Sequence, residues 1–371
     1  MNLFLIEIKK LLFSKIFIFY CILVIFFVFV NCNQVIDKNI NSDIYQPKSM
    51  TTYTTNNKVI MKNAIDNLKK ELHSNNFKVY QFGFLKQKKL NKDKIDKIKT
   101  SLKNMENSKD FKRFKYYSNK VSHEIGWGSN YSEKNLYLFG TKQMSKEDFS
   151  MEKKMIKNKD IYFGAYSRYL SDIAGVIIGI LPFFLGAHIY LLDRKNHVFK
   201  TINSRNISSF KLILTRVLAL IILSFLPILL FSVYFLISLS VVHPISIKAI
   251  FIFYEILFMW TTPTLLVASI LGLLITMIFN SYLGSLIQII IWFINLNIGS
   301  NYVEGHYGSL LIPRHNSLFN TSFFYNHLND ILINRISYCF IAILLLLISV
   351  WLFDLKRKGL TRSGKITLLR N

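Results

Sequence analysis

Residues 193–216 read DRKNHVFKTINSRNISSFKLILTR, a short polar segment caught between two long apolar tracts. Its basic residues are Arg194, Lys195, Lys200, Arg205, Lys211 and Arg216, against Asp193 alone. Lys and Arg close to membrane ends orient a chain that crosses a bilayer several times, so this stretch is expected on the cytoplasmic side. The rest of the topology is counted outward from it.

The 371 residues are 51% hydrophobic and include 32 Phe, in runs too long for the strands and helices of a soluble core. A spanning helix needs roughly 20 apolar residues. Six tracts qualify, at 11–30, 172–192, 210–241, 248–279, 282–300 and 336–353. The expected fold class is mainly α: a polytopic membrane protein with six transmembrane helices and an extracytoplasmic α+β domain between helices 1 and 2. A net charge of +25 is compatible with nucleic-acid binding in a soluble chain. Here part of the excess flanks the spans and no recognition helix, zinc finger or RNA-binding motif accompanies the rest, so nucleic acid is not expected as a partner. Cys21, Cys32 and Cys339 give no disulfide framework. Phe29, Val30 and Asn31 before Cys32 are not the small residues of a lipidation site, and the first tract, which lacks a small-residue cleavage pattern, is expected to stay as an uncleaved helix.

In order, residues 1–31 form a cytoplasmic amphipathic start, with Leu3, Ile6, Lys10 and Phe13 at helical spacing, and the first span. Residues 32–170 are a polar region long enough to fold as a domain, placed outside if the first span runs outward. Its 28 basic and 14 acidic residues give a net charge of +14. Long translocated domains escape the positive-inside rule, so this excess does not conflict with an outer location. Within it, Met61, Ile65, Leu68 and Leu72 predict one helix, and Ile95, Ile98, Leu102 and Met105 another. A capping box at Ser145 and Asp148 predicts a third. Residues 121–141, rich in Gly and aromatics, read as a turn and a short strand or two around a small core.

Residues 171–354 hold helices 2–6, the cytoplasmic loop 193–211 and an outer loop at 301–335. In the second tract Gly175 and Gly179 stand at GxxxG spacing, with Gly186 further on. Such residues let helices approach closely, within a subunit or across a dimer. Pro182 predicts a kink there, and Pro227 and Pro263 interrupt the third and fourth tracts. Residues 355–371 form a basic cytoplasmic tail.

Catalytic signatures are mostly missing. Gly359, Gly364 and Lys365 have phosphate-loop spacing, but Ile366 replaces the required hydroxyl residue. His123 and Glu124 begin a zinc-protease motif that Trp127 breaks. Glu304, His306, His315 and His327 share the outer loop at spacings that fit no usual zinc set, and are expected at the surface; no metal site is expected. Glu255 lies about two turns inside the fourth tract, where a charge is expensive unless paired or hydrated, which makes it a candidate for substrate contact or gating.

One span, a large outer domain and five further spans resemble the membrane subunit of an ABC-2 type transporter, in particular bacterial export permeases with an enlarged first outer loop. Asp193, Thr201, Ser204 with Arg205, and Lys211 resemble the acidic residue, Gly-Thr pair, Ser-Arg pair and Lys of that family's inner loop, with Lys200 standing where Gly is common. The mixed segment before the last span resembles the family's short re-entrant exporter helices. The resemblance implies that 193–211 holds a coupling helix docking on a separate ABC ATPase subunit, with Val198, Phe199 and Ile202 packing and Arg194 and the other basic residues at the rim. It also implies a second permease copy or paralogue, and ATP with magnesium bound by the partner, no cofactor being held by this chain. The expected function is export of peptide, antibiotic or lipid-like cargo across a bacterial cell membrane, in contact with membrane lipid, with both termini cytoplasmic. The chain itself is not expected to be an enzyme. The competing readings are a membrane-anchored sensor or antimicrobial-peptide immunity protein without transport activity, and a polytopic membrane enzyme.

Overall fold

The computed structural model describes residues 3–37, 51–81, 84–195, 201–202, 206–300, 307–315 and 317–359. The chain is mostly helical and divides into two compact units, one made of 43–152 with 300–305 and the other of the remainder. The polar unit is narrower than the 32–170 expected from composition. Cys32 at one end, and Phe163, Ala165, Tyr166 and Leu170 at the other, are buried in the core of the helical unit.

The helical unit begins with α1, Leu3–Leu12, and α2, Lys15–Asp37. The first apolar tract therefore breaks at Ser14, whose Oγ accepts the Phe17 N–H at 3.2 Å and starts the second helix. The second tract also breaks. Helices α7, Phe163–Ile178, and α8, Leu181–Lys195, are bent by 42°. Pro182 sits in the first turn of α8, where a missing N–H costs nothing. Then come α9, Ser209–Ser240, and α10, Ile247–Phe279, which both run on through Pro227 and Pro263. Ser208 and Ser246 cap their first turns, and Asn280, in the left-handed region at φ 53°, ends α10. A shorter apolar helix α11, Ser285–Ser300, the small α12, Thr321–Asn326, and α13, Leu328–Arg357, complete the unit.

Helices α2, α9, α10 and α13 are long and apolar enough to cross a membrane, and the bent pair α7–α8 supplies a fifth span if read as one. These helices make the chain compatible with a membrane-embedded protein. At 16 residues α11 is about 24 Å long, short of the roughly 30 Å hydrocarbon core. Helix α10 is central: 72% of its apolar window is buried against 17% for α13. It packs on α7, α8 and α13.

Two glycines explain the closest of these contacts. A Cβ on Gly186 of α8 would run into the Ser269 carbonyl oxygen of α10, and one on Gly272 of α10 into the Phe183 carbonyl oxygen of α8. Gly186 therefore serves packing within the chain. Gly179 faces Ile312 with no room for a methyl, whereas a Cβ on Gly175 would meet Ile312 at 3.6 Å, an ordinary contact. Gly175→Ala is expected to be neutral or to stabilise by about 0.5–1 kcal/mol, the usual helix gain over glycine. Gly186→Ala is expected to cost about 1–3 kcal/mol through overpacking. Thermal unfolding in detergent separates the two, and equal effects would sink the packing argument.

In the polar unit, β1, Thr51–Tyr53, pairs antiparallel with β4, Thr141–Gln143, and β2, Phe77–Gln81, with β3, Phe84–Lys88. Around them lie α3, Asn57–Ser74, α4, Lys92–Glu106, α5, Phe111–Ile125, and the start of α6, Lys146–Asn158. The predicted stripes fall on α3 and α4, where Ile60, Ala64, Leu68, Ile98 and Met105 are buried with Phe77, Phe114 and Val121. The stretch 121–141, read as a turn and a short strand or two, has its turn at Trp127 and Gly128 and reaches β4 at Thr141, but Glu133–Gly140 forms a 3₁₀ helix where extended chain was expected. Three residues per turn put Leu136 and Phe139 on one face, both buried. The capping box is present: Ser145 Oγ accepts from Asp148 N at 3.0 Å, and Asp148 Oδ2 accepts from Ser145 N at 3.0 Å.

Two carboxyls of this unit respond to pH in opposite senses. Burial pushes the Glu71 carboxyl up, partly offset by hydrogen bonds donated by Tyr131 Oη at 2.9 Å and Lys78 N at 3.2 Å. A carboxyl held above its unfolded value binds its proton more tightly in the native state. Its contribution is present at acid pH and is lost as pH rises through the native pKa. Lys142, bonded at 2.8 Å, and the cap hold Asp148 below its ordinary value. Its contribution is present above the unfolded pKa and is lost as pH falls. Hydrogen exchange should show Glu71→Gln gaining on the wild type in α3 amides as pH rises from 4 to 7, and the deficit of Asp148→Asn in α6 amides, constant above about pH 4, shrinking as pH falls below it. Parallel profiles would contradict both assignments.

Candidate functional site

Asp193 closes the last turn of α8, and Arg216 lies two turns into α9, so the pair brackets the basic connection. They meet. Arg216 Nη2 donates to Asp193 Oδ2, and its Nε donates to Glu7 Oε1 at 3.2 Å, while Lys10 Nζ reaches Asp193 Oδ1 and lies 3.8 Å from Glu7 Oε2. Glu7, Asp193 and Arg216 are 4%, 2% and 1% exposed and Lys10 is partly exposed at its edge, so two acids and two bases balance around a core that is almost dry. It joins α1, α8 and α9. Amphipathic spacing in α1 and the helical phase of Arg216 aim these groups inward.

The last helix reinforces the same end. Asp354 accepts from Ser209 Oγ at 2.9 Å, and Arg357 donates to the Ile207 carbonyl. Lys356 Nζ donates to Asn280 Oδ1 at 3.0 Å, to Tyr190 Oη at 3.3 Å and to the Met277 carbonyl. A cation at the carboxyl end of α10 also suits the helix dipole.

The structure gives the sequence-predicted coupling residues different environments. Asp193 is interior and is bonded to Lys10 and Arg216, so its carboxylate is not open for docking. Arg194 is half-buried, while Lys211 is exposed, its N–H capped by Ser208 Oγ at 3.2 Å. Thr201 is exposed, and Ile202 packs against the helical core. Val198, Phe199, Ser204 and Arg205 lie outside the described residues. Glu7 and Lys356 were missed. The available signal for Glu7 was its position as the one acid in the first 36 residues, on the face of a helix otherwise apolar or basic.

The opposite end of the bundle is built around irregular backbone. Tyr307, Leu310, Leu311 and Ile312 are buried without regular secondary structure. Such backbone among apolar helices must find its partners within the protein. Asn295 Oδ1 accepts the Leu311 N–H at 2.7 Å. Thr264 Oγ1 donates to the Leu311 carbonyl at 2.7 Å, and Asn334 Nδ2 donates to the Tyr307 carbonyl at 2.9 Å. Arg335 donates to the Leu310 carbonyl at 3.0 Å. Asp172 of α7 receives Arg314 at 2.7 and 3.2 Å and the His315 N–H at 3.1 Å. Asp160 takes Arg168 in a two-pronged pair at 2.7 Å on both arms, with Thr321 and Tyr325 bonded beside it.

His315, expected at the surface, is fully buried and hydrogen-bonded to Tyr307 Oη at 2.7 Å and the Phe319 carbonyl at 2.9 Å. Its neighbours overrode the polarity that suggested exposure. Glu304 and His306 lie outside the described residues. Among the described residues no group of three or more His, Cys, Asp or Glu side chains is placed to hold a metal ion. Glu255 is exposed on α10. Comparisons with protein-family models, with curated proteins and with solved structures gave no match to this chain.

Arg216→Met leaves two buried carboxylates without their guanidinium and is expected to cost about 3–5 kcal/mol. Adding Glu7→Gln and Asp193→Asn to it should recover part of that loss, since no buried acid is then stranded. Lys211→Ala, on the surface, should stay within about 0.5 kcal/mol. Thermal unfolding of the four proteins tests this, and an Arg216→Met chain that melts with the wild type would show that the cluster is not what holds α1, α8 and α9 together.

Proposed function

We propose that this chain is the membrane-spanning permease subunit of an ABC-2 type exporter, driven by a separate ATPase chain that binds ATP and magnesium. The observation that carries the reading is the rooting of the basic connection. Asp193 and Arg216 hold its two ends to each other and to α1 inside a dry cluster. A loop that receives force from another protein has to pass it to helices instead of absorbing it, and a neutral, buried ionic lock at its base does that. Asp193 then acts as the root of the coupling segment, and the docking contacts fall to Val198, Phe199, Ile202 and the basic residues Arg194, Arg205 and Lys211.

On this reading the protein sits in a bacterial cell membrane with six spans, α11 among them, both termini and the basic connection inside, and the polar unit outside. A second copy or a paralogue completes the pathway. ATP-driven closure of the partner pair pushes on 193–211 and rocks the helices between inward- and outward-facing states. The cargo is peptide, antibiotic or lipid-like.

The test is co-purification from the native membrane in mild detergents. The wild-type chain should bring down an ATPase, and the Phe199→Asp, Arg205→Glu double variant should lose it while keeping the wild-type melting temperature. If no ATPase co-purifies in any of several detergents, the reading fails and a sensor, immunity protein or enzyme takes its place.

A further inference from the structure

At the end of the helical unit built around 307–315, three guanidinium groups are buried or nearly so. Arg168 is paired with Asp160 and Arg314 with Asp172. Arg335, 3% exposed, has neutral acceptors instead: Asn334 Oδ1, Thr264 Oγ1 and the carbonyls of Trp260, Leu310 and Leu311. These dipoles satisfy its N–H groups, and among the described residues no carboxylate pairs with it, so its positive charge stands in a poorly screened setting.

The stem of Arg335 lines a groove of about 390 Å³ between α10 and α13, with Phe258, Pro263, Ile336, Phe340 and Ile343 among its walls. On α13 the lining positions run from Leu332 to Ile343 along one helical face, about 16 Å of helix. Ile336, Phe340 and Ile343 are 56%, 64% and 53% exposed, so the groove opens sideways from helices apolar enough to cross a membrane. Its natural contents there are hydrocarbon chains.

The charges along the groove come in a fixed order. Its apolar depth runs toward Ile343, Arg335 stands nearer the start of α13, and Glu255 lies further out on the same face of α10 as Phe258, Met259 and Thr262, three, four and seven residues before them. Glu255 is exposed. Lys248 shares that face but lies seven residues further, about 10 Å along the axis and outside the reach of a head group. Read outward, the groove offers an acyl channel, then a cation, then an anion.

We propose that this groove binds a phospholipid with a primary-amine head group: an acyl chain in the channel, the phosphate in the field of Arg335, and the ammonium at Glu255. A purely anionic head group meets Glu255 as a like charge, and a quaternary amine has no N–H to give its carboxylate. The inference rests on the membrane-embedded reading of α10 and α13 and is independent of transport.

The full chain in mild detergent is offered phosphatidylethanolamine, phosphatidylcholine and phosphatidylglycerol with identical acyl chains, and bound lipid is counted by native mass spectrometry. The wild type should retain the ethanolamine lipid about fivefold over either competitor, the discrimination one charge near the membrane surface gives. Glu255→Gln, a surface change with no folding burden, should remove that preference and favour the glycerol lipid. Ile343→Trp, which fills the channel from its exposed wall, should lower retention of all three. Any other order of retention in the wild type, no retained lipid, an ethanolamine preference that survives Glu255→Gln, or undiminished retention in Ile343→Trp overturns the proposal.

Discussion

A charge buried among apolar helices has no water to turn to, and the whole helical unit is arranged around that constraint. At one end, Arg216 answers both Glu7 and Asp193, and Lys10 completes a neutral set. Bringing three charges out of water, with Lys10 at the edge, is costly, and well-packed apolar residues often stabilise a core as well or better. What the cluster gains is definition: α1, α8 and α9 have one relative placement in which no charge is stranded. The basic connection between α8 and α9 inherits that placement because Asp193 and Arg216 sit at its two ends.

The same constraint governs the other end by different means. There the problem is backbone, because Tyr307 to His315 lacks regular secondary structure while Tyr307, Leu310, Leu311, Ile312 and His315 are buried. Polar side chains from four helices supply what a helix would have supplied for itself: Asp172 from α7, Thr264 from α10, Asn295 from α11, and Asn334 and Arg335 from α13. Asp172, Thr264 and Asn295 lie in tracts that composition alone marks as apolar, where a polar residue must find a partner or line a wet surface, while Asn334 and Arg335 stand just before the last such tract. Asn295 and Asp172 find theirs in the irregular segment. Among the described residues Arg335 finds neutral acceptors and no carboxylate, and that difference sets it apart from Arg168 and Arg314.

The long apolar helices were legible from hydropathy, since length and composition report directly on burial in hydrocarbon. So were the stripes of α3 and α4 and the box at Ser145 and Asp148, because helical spacing and end-capping are local properties. The 3₁₀ helix over 133–140, where extended chain was expected, was not, since Leu136 and Phe139 fit a 3₁₀ turn as well as an extended chain until the core they face is known. The break at Ser14 and the shortness of α11 also escaped notice. Hydropathy averages over a window and does not see where one helix hands over to the next.

For the candidate site the division is sharper. The sequence alone determined that 193–216 is a basic connection between apolar tracts and that Gly175, Gly179 and Gly186 stand at a spacing that permits close packing, because charge placement and residue size are written position by position. Only the tertiary structure decided that Asp193 faces inward to Arg216, that Glu7 joins them, that His315 is buried, and that Gly186 meets the backbone of α10 within the same chain. Glu7 and Arg216 are 209 residues apart, and no local pattern encodes which buried acid a given guanidinium will reach. That choice is made by the packing of whole helices, where the energy of pairing is collected only after the chain has brought distant segments together.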